Sequence, residues 1–430
     1  MYKKEYVSIE EAMRIGKGKV ALRGWVYRER GSSKVKFIVL RDSTDIIQCV
    51  FERKKFEKQW GEIDKLQIEA SVKISGTIKK DKRAPTNFEI DVDEIEIVGT
   101  SENFPINKYQ SEEFLLDVRN LAIRSRKLSA SLKIRSTVMG ALHEYIRSLG
   151  YTEVEAPSFS GETSEGGSEV FKFNYFGKTA HLTQSWQFYA ENLVSAFEKV
   201  YAMAPSFRAE KSKTSRHLTE FWHFEVEAAW ADMEEIITVA EGCVQNVIKN
   251  VLIKNKKELE TLKLNKNRLE KIEIPFPRIT YRKAIEKLSE EGYNIKYGDD
   301  FGAKEEKRLA EYFNNFVIVT NYPLEILKFY HGEDPKNPGL GMNFNILAPG
   351  IGEVIDGSQR EPDLNKIIER LKKAKINLGK SDWYLDSRRY GSVPHAGFGL
   401  GVERLVQWIC NLDNIKNAIP FPRTMTRLTP

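Results

Sequence analysis

The chain has 430 residues, 41% of them hydrophobic and 30% charged, a size and composition typical of a globular protein with more than one domain. It has no run of about 18 apolar residues and no signal-peptide pattern, so we expect no membrane span, no membrane partner and a cytoplasmic location. Cys49, Cys243 and Cys410 are too scattered for a metal pair or a disulfide framework.

Positive charge is concentrated at the N-terminal end. Residues 1–83 hold 21 Lys and Arg against 12 Asp and Glu, a net charge of +9, whereas the remaining residues sum to −3. A basic segment on a nearly neutral body indicates a polyanionic partner, although a solvated basic surface has the same composition.

Residues 19–100 alternate β-branched and aromatic runs with turn-forming residues, which predicts five strands, with a helical stretch near residues 53–65 before the fourth. This pattern matches a small barrel of the OB type, and other small barrels share the strand count. We assign residues 1–103 to this domain. The predicted strands are KVALRGWVYRE, KVKFIVLRD, IIQCVFE, SVKISGTIKK and FEIDVDEIEIV.

Residues 104–130 resemble a linker, and residues 131–430 form the predicted second domain. It opens with SASLKIRSTVMGALHEYIRSLG, whose apolar residues follow a helical period up to Gly150. Alternating strands and helices follow. The Lys-, Asn- and Glu-rich stretch 249–273 is predicted to be a solvated helix pair.

Three segments of the second domain carry the strongest signal: the helix just described with YTEVEAPSFS, then FRAEKSKTSRHLTEFWHFEVE, then GFGLGVERLVQWI. Together and in this order they resemble motifs 1, 2 and 3 of the class II aminoacyl-tRNA synthetases. The resemblance implies an α+β protein in which an N-terminal OB-fold barrel precedes a catalytic domain built on an antiparallel sheet flanked by helices. It also implies a homodimer formed through motif 1.

The chemistry of these enzymes explains why two arginines are catalytic candidates. A carboxylate attacks the α-phosphate of ATP and pyrophosphate leaves, so two anions must be held in line by fixed cations. The planar fork of Arg208 suits this catalytic role, and Glu210 can orient it or the adenine amino group. Arg404, which follows the glycines of GFGLG, is the second catalytic candidate, because it can cover the other face of adenine while touching the γ-phosphate.

The resemblance also implies the rest of the ATP site. Arg216 and His217 would reach the outer phosphates, and Phe221 would stack on adenine. In GIGEVIDGSQRE, Glu353 and Asp356 are candidate Mg²⁺ ligands that bridge the phosphates. The family usually has Ser or Gly at the Asp356 position, so Asp356 either strengthens the metal site or is a local turn residue.

The three motif segments and GIGEVIDGSQRE are together similar to the subgroup that charges Asp, Asn and Lys. Arg360 matches the arginine that binds the substrate side chain in both Asn and Asp enzymes. Glu225 is the informative residue, because a glutamate that reaches the substrate can accept a hydrogen bond from a carboxamide and repels a carboxylate. The alternative for Glu225 is a salt-bridged strand residue. The segment KSKTSRHLTEFW also resembles the asparagine type, so asparagine and tRNA(Asn) are the implied partners.

The remaining predicted contacts come from the same resemblance. Ser185 and Gln187 match the S-x-Q that holds the substrate ammonium and backbone carboxyl, with an unusual Trp186 between them. Glu165 lies on a Gly-Gly loop that could close over the substrate. In the OB domain, Phe37 and Gln48 match the readers of the central anticodon uridine, although Phe37 also suits the barrel core.

Three alternatives remain open from the sequence. An aspartyl-tRNA synthetase, discriminating or not, is opposed by Glu225. An asparagine synthetase would lack the anticodon-binding domain. A nucleic-acid-binding OB protein with an inert second domain has no chemical need for Arg208, Glu353 and Arg404 together.

Overall fold

Two compact units make up the chain, residues 1–112 and 113–430. In this computed structural model the described residues are 5–107, 109–161, 169–211, 216–374 and 382–430. The helices α3 and α4 and the start of α5 fall inside the expected linker 104–130. The first unit contains α1 (Ile9–Ile15), β1 (Gly18–Gly31), β2 (Val35–Arg41), β3 (Ile46–Glu52), a 3-10 turn (Arg53–Lys55), α2 (Trp60–Asp64), β4 (Ser71–Lys80) and β5 (Phe88–Gly99).

The first unit is a closed barrel with strand order β1-β2-β3-β5-β4. Neighbouring strands are antiparallel except β3 and β5, which are parallel. The alternating burial along β2 and β4 sends every second side chain into the barrel core, the period-2 pattern from which the strands were predicted. The five predicted strands and the OB-type barrel are therefore confirmed.

The second unit contains these elements: α3 (Glu112–Asp117), α4 (Arg119–Ala122), α5 (Arg126–Ser148), β6 (Thr152–Glu153), β7 (Phe159–Ser160), β8 (Lys172–Tyr175), β9 (Lys178–Leu182), α6 (Gln187–Phe197), β10 (Lys199–Phe207), β11 (Glu220–Ala229), α7 (Met233–Lys254), α8 (Lys256–Thr261), α9 (Asn267–Glu270), β12 (Arg278–Thr280), α10 (Tyr281–Glu290), α11 (Ala303–Phe313), β13 (Val317–Thr320), a 3-10 turn (Leu324–Ile326), β14 (Asn343–Ala348), β15 (Gly352–Gln359), α12 (Leu364–Lys373), α13 (Asp382–Arg389), β16 (His395–Gly401), α14 (Val402–Cys410) and a 3-10 turn (Ile415–Asn417).

An eight-stranded sheet organises the second unit, in the order β12-β13-β14-β15-β16-β11-β10-β6. Its six central strands pair antiparallel, and only the outermost pairs β12–β13 and β10–β6 are parallel. A separate three-stranded sheet has the order β7-β9-β8. The predicted antiparallel sheet flanked by helices is confirmed, with parallel pairing at its two ends.

The helices α5, α7 and α14 pack on one face of this sheet. Phe224 and Val226 of β11 and Phe398 and Leu400 of β16 point into that core. Helix α7 is apolar and long enough to cross a membrane by length and composition alone, but most of it is buried inside the protein, as in a core helix. These three helices do not cover the opposite face of the central strands, and the cavity described below lies there.

Candidate active site

A cavity of about 420 Å³ lies on the face of the sheet opposite the helices. Along β11 every second residue lines it, because the intervening residues point into the helical core. The cavity brings together all but one of the residues expected to bind ATP, asparagine or metal. The exception is Glu165, which lies outside the described residues. The residues that line the cavity are Arg208, Glu210, Arg216, His217, Phe221, Ser185, Gln187, Glu225, Glu353, Asp356, Arg360 and Arg404. Twelve side chains separated by up to 219 positions thus meet at one place.

Glycines of β16 form the middle of the cavity floor. Gly399 pairs with Glu225 on one side and with Asp356 on the other. A Cβ atom on Gly397 would lie 2.0 Å from Oε2 of Glu227, and one on Gly399 would lie 3.1 Å from Nε2 of His223. The glycines of GFGLG therefore keep the floor open between two walls of polar side chains.

Glu353 and Asp356 both face the cavity although they are three residues apart. Regular strand alternation would place them on opposite faces. In β15, Ile355 pairs with Ile346 and Glu353 pairs with Leu347, so Val354 is an extra residue in a β-bulge. The bulge turns Glu353 to the face that Asp356 already occupies.

Arg208 and Arg404 approach the cavity from two sides. The guanidinium of Arg208 lies 5.4 Å from the ring centre of Phe221 and 3.8 Å from Oε1 of Glu210. Nη1 of Arg404, in the first turn of α14, donates to Oε1 of Glu353 at 2.8 Å and to its backbone oxygen at 2.9 Å. Each arginine thus has a carboxylate beside its guanidinium, which holds the positive charge at the edge of the cavity.

Arg216 and His217 lie at the end of the cavity near α11. Arg216 forms an ion pair with the buried Glu306. Burial, together with the positive charges of Arg404 and Arg216, lowers the pKa of the His217 imidazole to about 4. His217 is therefore neutral at pH 7 in the free protein, and Arg216 is the charged member of the pair.

Ser185, Gln187 and Glu225 form a hydrogen-bonded group at the other end. Oγ of Ser185 donates to Oε1 of Glu225, and the backbone N–H of Trp186 donates to Oε2 at 3.2 Å. The Trp186 side chain is buried in an apolar cluster with Ala190. Trp186 therefore packs behind the pocket.

Arg360 is buried beside this group and paired with Glu227. Its Nε and Nη2 atoms donate to the two carboxylate oxygens of Glu227 at 3.1 and 2.9 Å, and Nη1 donates to Oγ of Ser358 at 2.9 Å. The charge of Arg360 is thus balanced inside the protein before any substrate arrives.

His223 and Glu227 were not among the predicted site residues. Both line the cavity, and both alternate with Glu225 along β11. The period of two in FWHFEVE is the signal that would have found them, since a strand that exposes Glu225 to the cavity also exposes the residues two positions away.

Phe37 and Gln48 lie on neighbouring strands of the barrel, Phe37 half-buried and Gln48 buried with only 4% of its surface exposed. The Phe37 ring is half-buried with the Arg30 guanidinium 5.1 Å from its centre, and it points away from the core. Gln48 donates from Nε2 to Glu89 at 2.9 Å and accepts from Arg30 at 3.3 Å. A stacking surface and oriented polar groups are therefore adjacent.

Comparison with known proteins decides the family. Residues 111–425 match the family described as tRNA synthetases class II (D, K and N), and residues 20–98 match the OB-fold nucleic acid binding domain. The chain belongs to the class II tRNA synthetases. The predicted family is thereby confirmed.

Within the class II tRNA synthetases, asparagine enzymes are similar to the chain over nearly its whole length. It is 45% identical over 414 residues, 96% of each chain, to the asparagine–tRNA ligase of Thermoplasma acidophilum. It superposes on the Pyrococcus horikoshii asparaginyl-tRNA synthetase complexed with asparaginyl-adenylate with a TM-score of 0.95, at 43% identity and covering 100% of both chains. The aspartyl-tRNA synthetase of Entamoeba histolytica is 26% identical, with a TM-score of 0.86 over 99% of this chain and 93% of the other.

Proposed function

We propose that the protein is an asparagine–tRNA ligase that activates L-asparagine with ATP and transfers it to tRNA(Asn). In the first step a carboxylate oxygen of asparagine attacks the α-phosphorus, the bond to the β-phosphate oxygen breaks and pyrophosphate leaves. In the second step a terminal ribose hydroxyl of the tRNA attacks the carbonyl carbon and AMP leaves. The observation that carries the proposal is the likeness over the full chain to the synthetase with bound asparaginyl-adenylate.

Arg208 and Arg404 supply the fixed positive charge that this step needs. Arg208 bridges the α-phosphate and the incoming carboxylate, so that the two anions meet in line. Arg404 neutralises the departing phosphates, with Arg216 and His217 at the same end of the cavity. Adenine stacks on Phe221, and Glu210 accepts from its amino group or holds Arg208.

Asparagine is favoured over aspartate by charge. Arg360 is already paired with Glu227, so it offers hydrogen bonds to a carboxamide oxygen without surplus charge for a carboxylate. Glu225 accepts from the carboxamide NH₂ and repels a negative side chain. Ser185 and Gln187 hold the ammonium and backbone carboxyl, and Glu165 belongs to a covering loop.

Mg²⁺ fits the acidic end of the cavity. Burial raises the pKa of the Asp300 and Glu306 carboxyls, and nearby Glu353 raises both further. Among the residues that the structure describes, no three His, Cys, Asp or Glu side chains form a metal-binding group, but Mg²⁺ commonly uses one or two carboxylates with substrate phosphates and water. Glu353 and Asp356 would hold it, and it would neutralise phosphate charge.

The barrel binds the anticodon of tRNA(Asn). Phe37 stacks on a base, and Gln48, oriented by Glu89, hydrogen-bonds to its edge. We further propose that the protein is a homodimer joined through α5 and its following strand, and that it acts in the cytoplasm.

ATP–pyrophosphate exchange without tRNA, with asparagine and aspartate assayed in parallel, tests the proposal. Exchange with asparagine alone supports it. Exchange with aspartate at equal or greater efficiency would instead identify an aspartyl enzyme, and no exchange with either would leave the second unit without the proposed activity.

A further inference from the structure

Glu191 of α6 is a carboxylate with a fully buried side chain behind the amino-acid end of the cavity. Its Oε2 atom accepts from the Tyr384 hydroxyl at 2.9 Å and from Nη2 of Arg388, and Nε2 of His395 lies 3.1 Å away. The buried guanidinium of Arg388 compensates its charge, so Glu191 is an ionised group held from three sides.

The other oxygen of Glu191 contacts a residue of the cavity. Its Oε1 accepts from Nε2 of Gln187 at 2.8 Å, one helical turn earlier in α6. A carboxylate only accepts hydrogen bonds, so the Gln187 amide must turn its NH₂ group toward Glu191. Gln187 lines the cavity. Its amide oxygen, the end that is not used by Glu191, is then the acceptor that Gln187 can offer to a substrate.

We propose that Glu191 is a positioning residue for asparagine binding, which fixes the amide of Gln187 so that its oxygen accepts from the α-ammonium group of the substrate. The inference rests on the proposed function. Without Glu191 the two ends of the amide are nearly equivalent in shape, and half of the orientations would present NH₂ to a cation.

The network also joins α13 to the site. Tyr384 and Arg388 lie one turn apart on α13, and the Tyr384 ring packs 4.3 Å from the ring of Phe188 on α6. A purely structural role for Glu191 would be to dock α13 on α6. The two roles predict different results, because docking does not act through Gln187.

The test compares Glu191→Gln, Gln187→Ala and the double variant with the wild-type protein in ATP–pyrophosphate exchange. Loss of the charged hydrogen bond should raise the KM for asparagine about tenfold or more and leave the KM for ATP nearly unchanged. In the double variant the two effects should not add, because Glu191 acts through Gln187. Glu241→Gln, at a buried carboxylate of α7 outside the cavity, should leave both KM values unchanged.

Three outcomes would overturn the inference: an unchanged KM for asparagine, parallel rises in both KM values, or additive effects in the double variant. If Glu191→Gln does not fold, Tyr384→Phe removes one donor to Glu191 and should raise the asparagine KM several-fold, and no change there would equally overturn it. No asparagine-dependent exchange in the wild-type protein would instead refute the proposed function, and with it the role of Gln187.

Discussion

Ser185 and Glu225, forty positions apart in the chain, are joined by a hydrogen bond from the serine hydroxyl to the carboxylate. The neighbouring backbone N–H of Trp186 donates to the second carboxylate oxygen. Glu225 is therefore fixed in place where it lines the cavity.

Shortening this side chain should change the choice of amino acid. In Glu225→Asp the carboxylate withdraws from the substrate side chain, so the acceptor for a carboxamide is lost and repulsion of a carboxylate weakens. We expect the ratio of kcat/KM for asparagine to that for aspartate to fall about tenfold or more, measured by pyrophosphate exchange. Glu220→Asp, at the start of the same strand, is the matched control, and an unchanged ratio in Glu225→Asp would mean that selection lies elsewhere.

Replacing Arg208 should abolish adenylate formation without unfolding the protein. Arg208→Ala removes the charge, whereas Arg208→Lys keeps it and removes the planar fork. We expect exchange rates at least ~10²-fold lower in both, by the size of effects seen when a transition-state donor is removed. Arg278→Ala, at a surface ion pair, should retain activity, and thermal unfolding checks the fold. Normal exchange in Arg208→Ala would refute its assignment.

A methyl group at Gly397 should break the pair that holds Arg360. The added Cβ would lie 2.0 Å from Oε2 of Glu227 and 2.3 Å from the Val226 backbone oxygen, so the strand and the carboxylate cannot both stay. Gly397→Ala should lower the free energy of unfolding by about 2 kcal/mol or more and raise the KM for asparagine. Gly61→Ala is the control, because a Cβ atom added at this exposed position of α2 would meet no other side chain or strand within 4 Å. It should change neither the free energy of unfolding in urea nor the KM for asparagine in the exchange assay.

Phe37→Ala should separate tRNA binding from activation. Losing a stacking ring should raise the KM for tRNA(Asn) about tenfold in aminoacylation and leave ATP–pyrophosphate exchange unchanged. Val98→Ala removes exposed apolar surface without an aromatic ring from β5 and serves as the control. An unaltered KM for tRNA would remove Phe37 from the anticodon site.

His217 should gain proton affinity when ATP binds. Its pKa is lowered to about 4 in the free protein by burial and by three nearby arginines, so it is neutral between pH 5 and 8. Triphosphate oxygens favour the charged imidazole and should raise that pKa, so that ATP binds more tightly as the pH falls toward the raised value. NMR titration of His217, assigned with His217→Asn, measures both values, and equal values with and without ATP would contradict its contact with the phosphates.

The stretch 249–273, predicted to be a charged, solvated helix pair, is helical with exposed charged side chains, but it is not solvated throughout. The segment contains the end of α7 and the short helices α8 and α9, and its apolar side chains Val251, Leu259 and Leu269 are buried in the main core. Isolated apolar residues in very short helices produce no clear period, so lysine-rich composition concealed them. Burial depends on which surface the segment meets, and this is a tertiary property.

The sequence by itself determined the barrel strands, the family and the catalytic candidates. The reason is that the period-2 alternation of apolar and polar residues and the long motif FRAE…RHLTEF are local signals in consecutive residues. Only the tertiary structure decided that Glu353 and Asp356 share a face, since a bulge depends on pairing with β14. It also decided that Arg360 meets Glu227 and that Glu191 meets Arg388, pairs separated by more than 130 positions. Such pairs leave no periodic trace, because their geometry is set by how the sheet and helices pack.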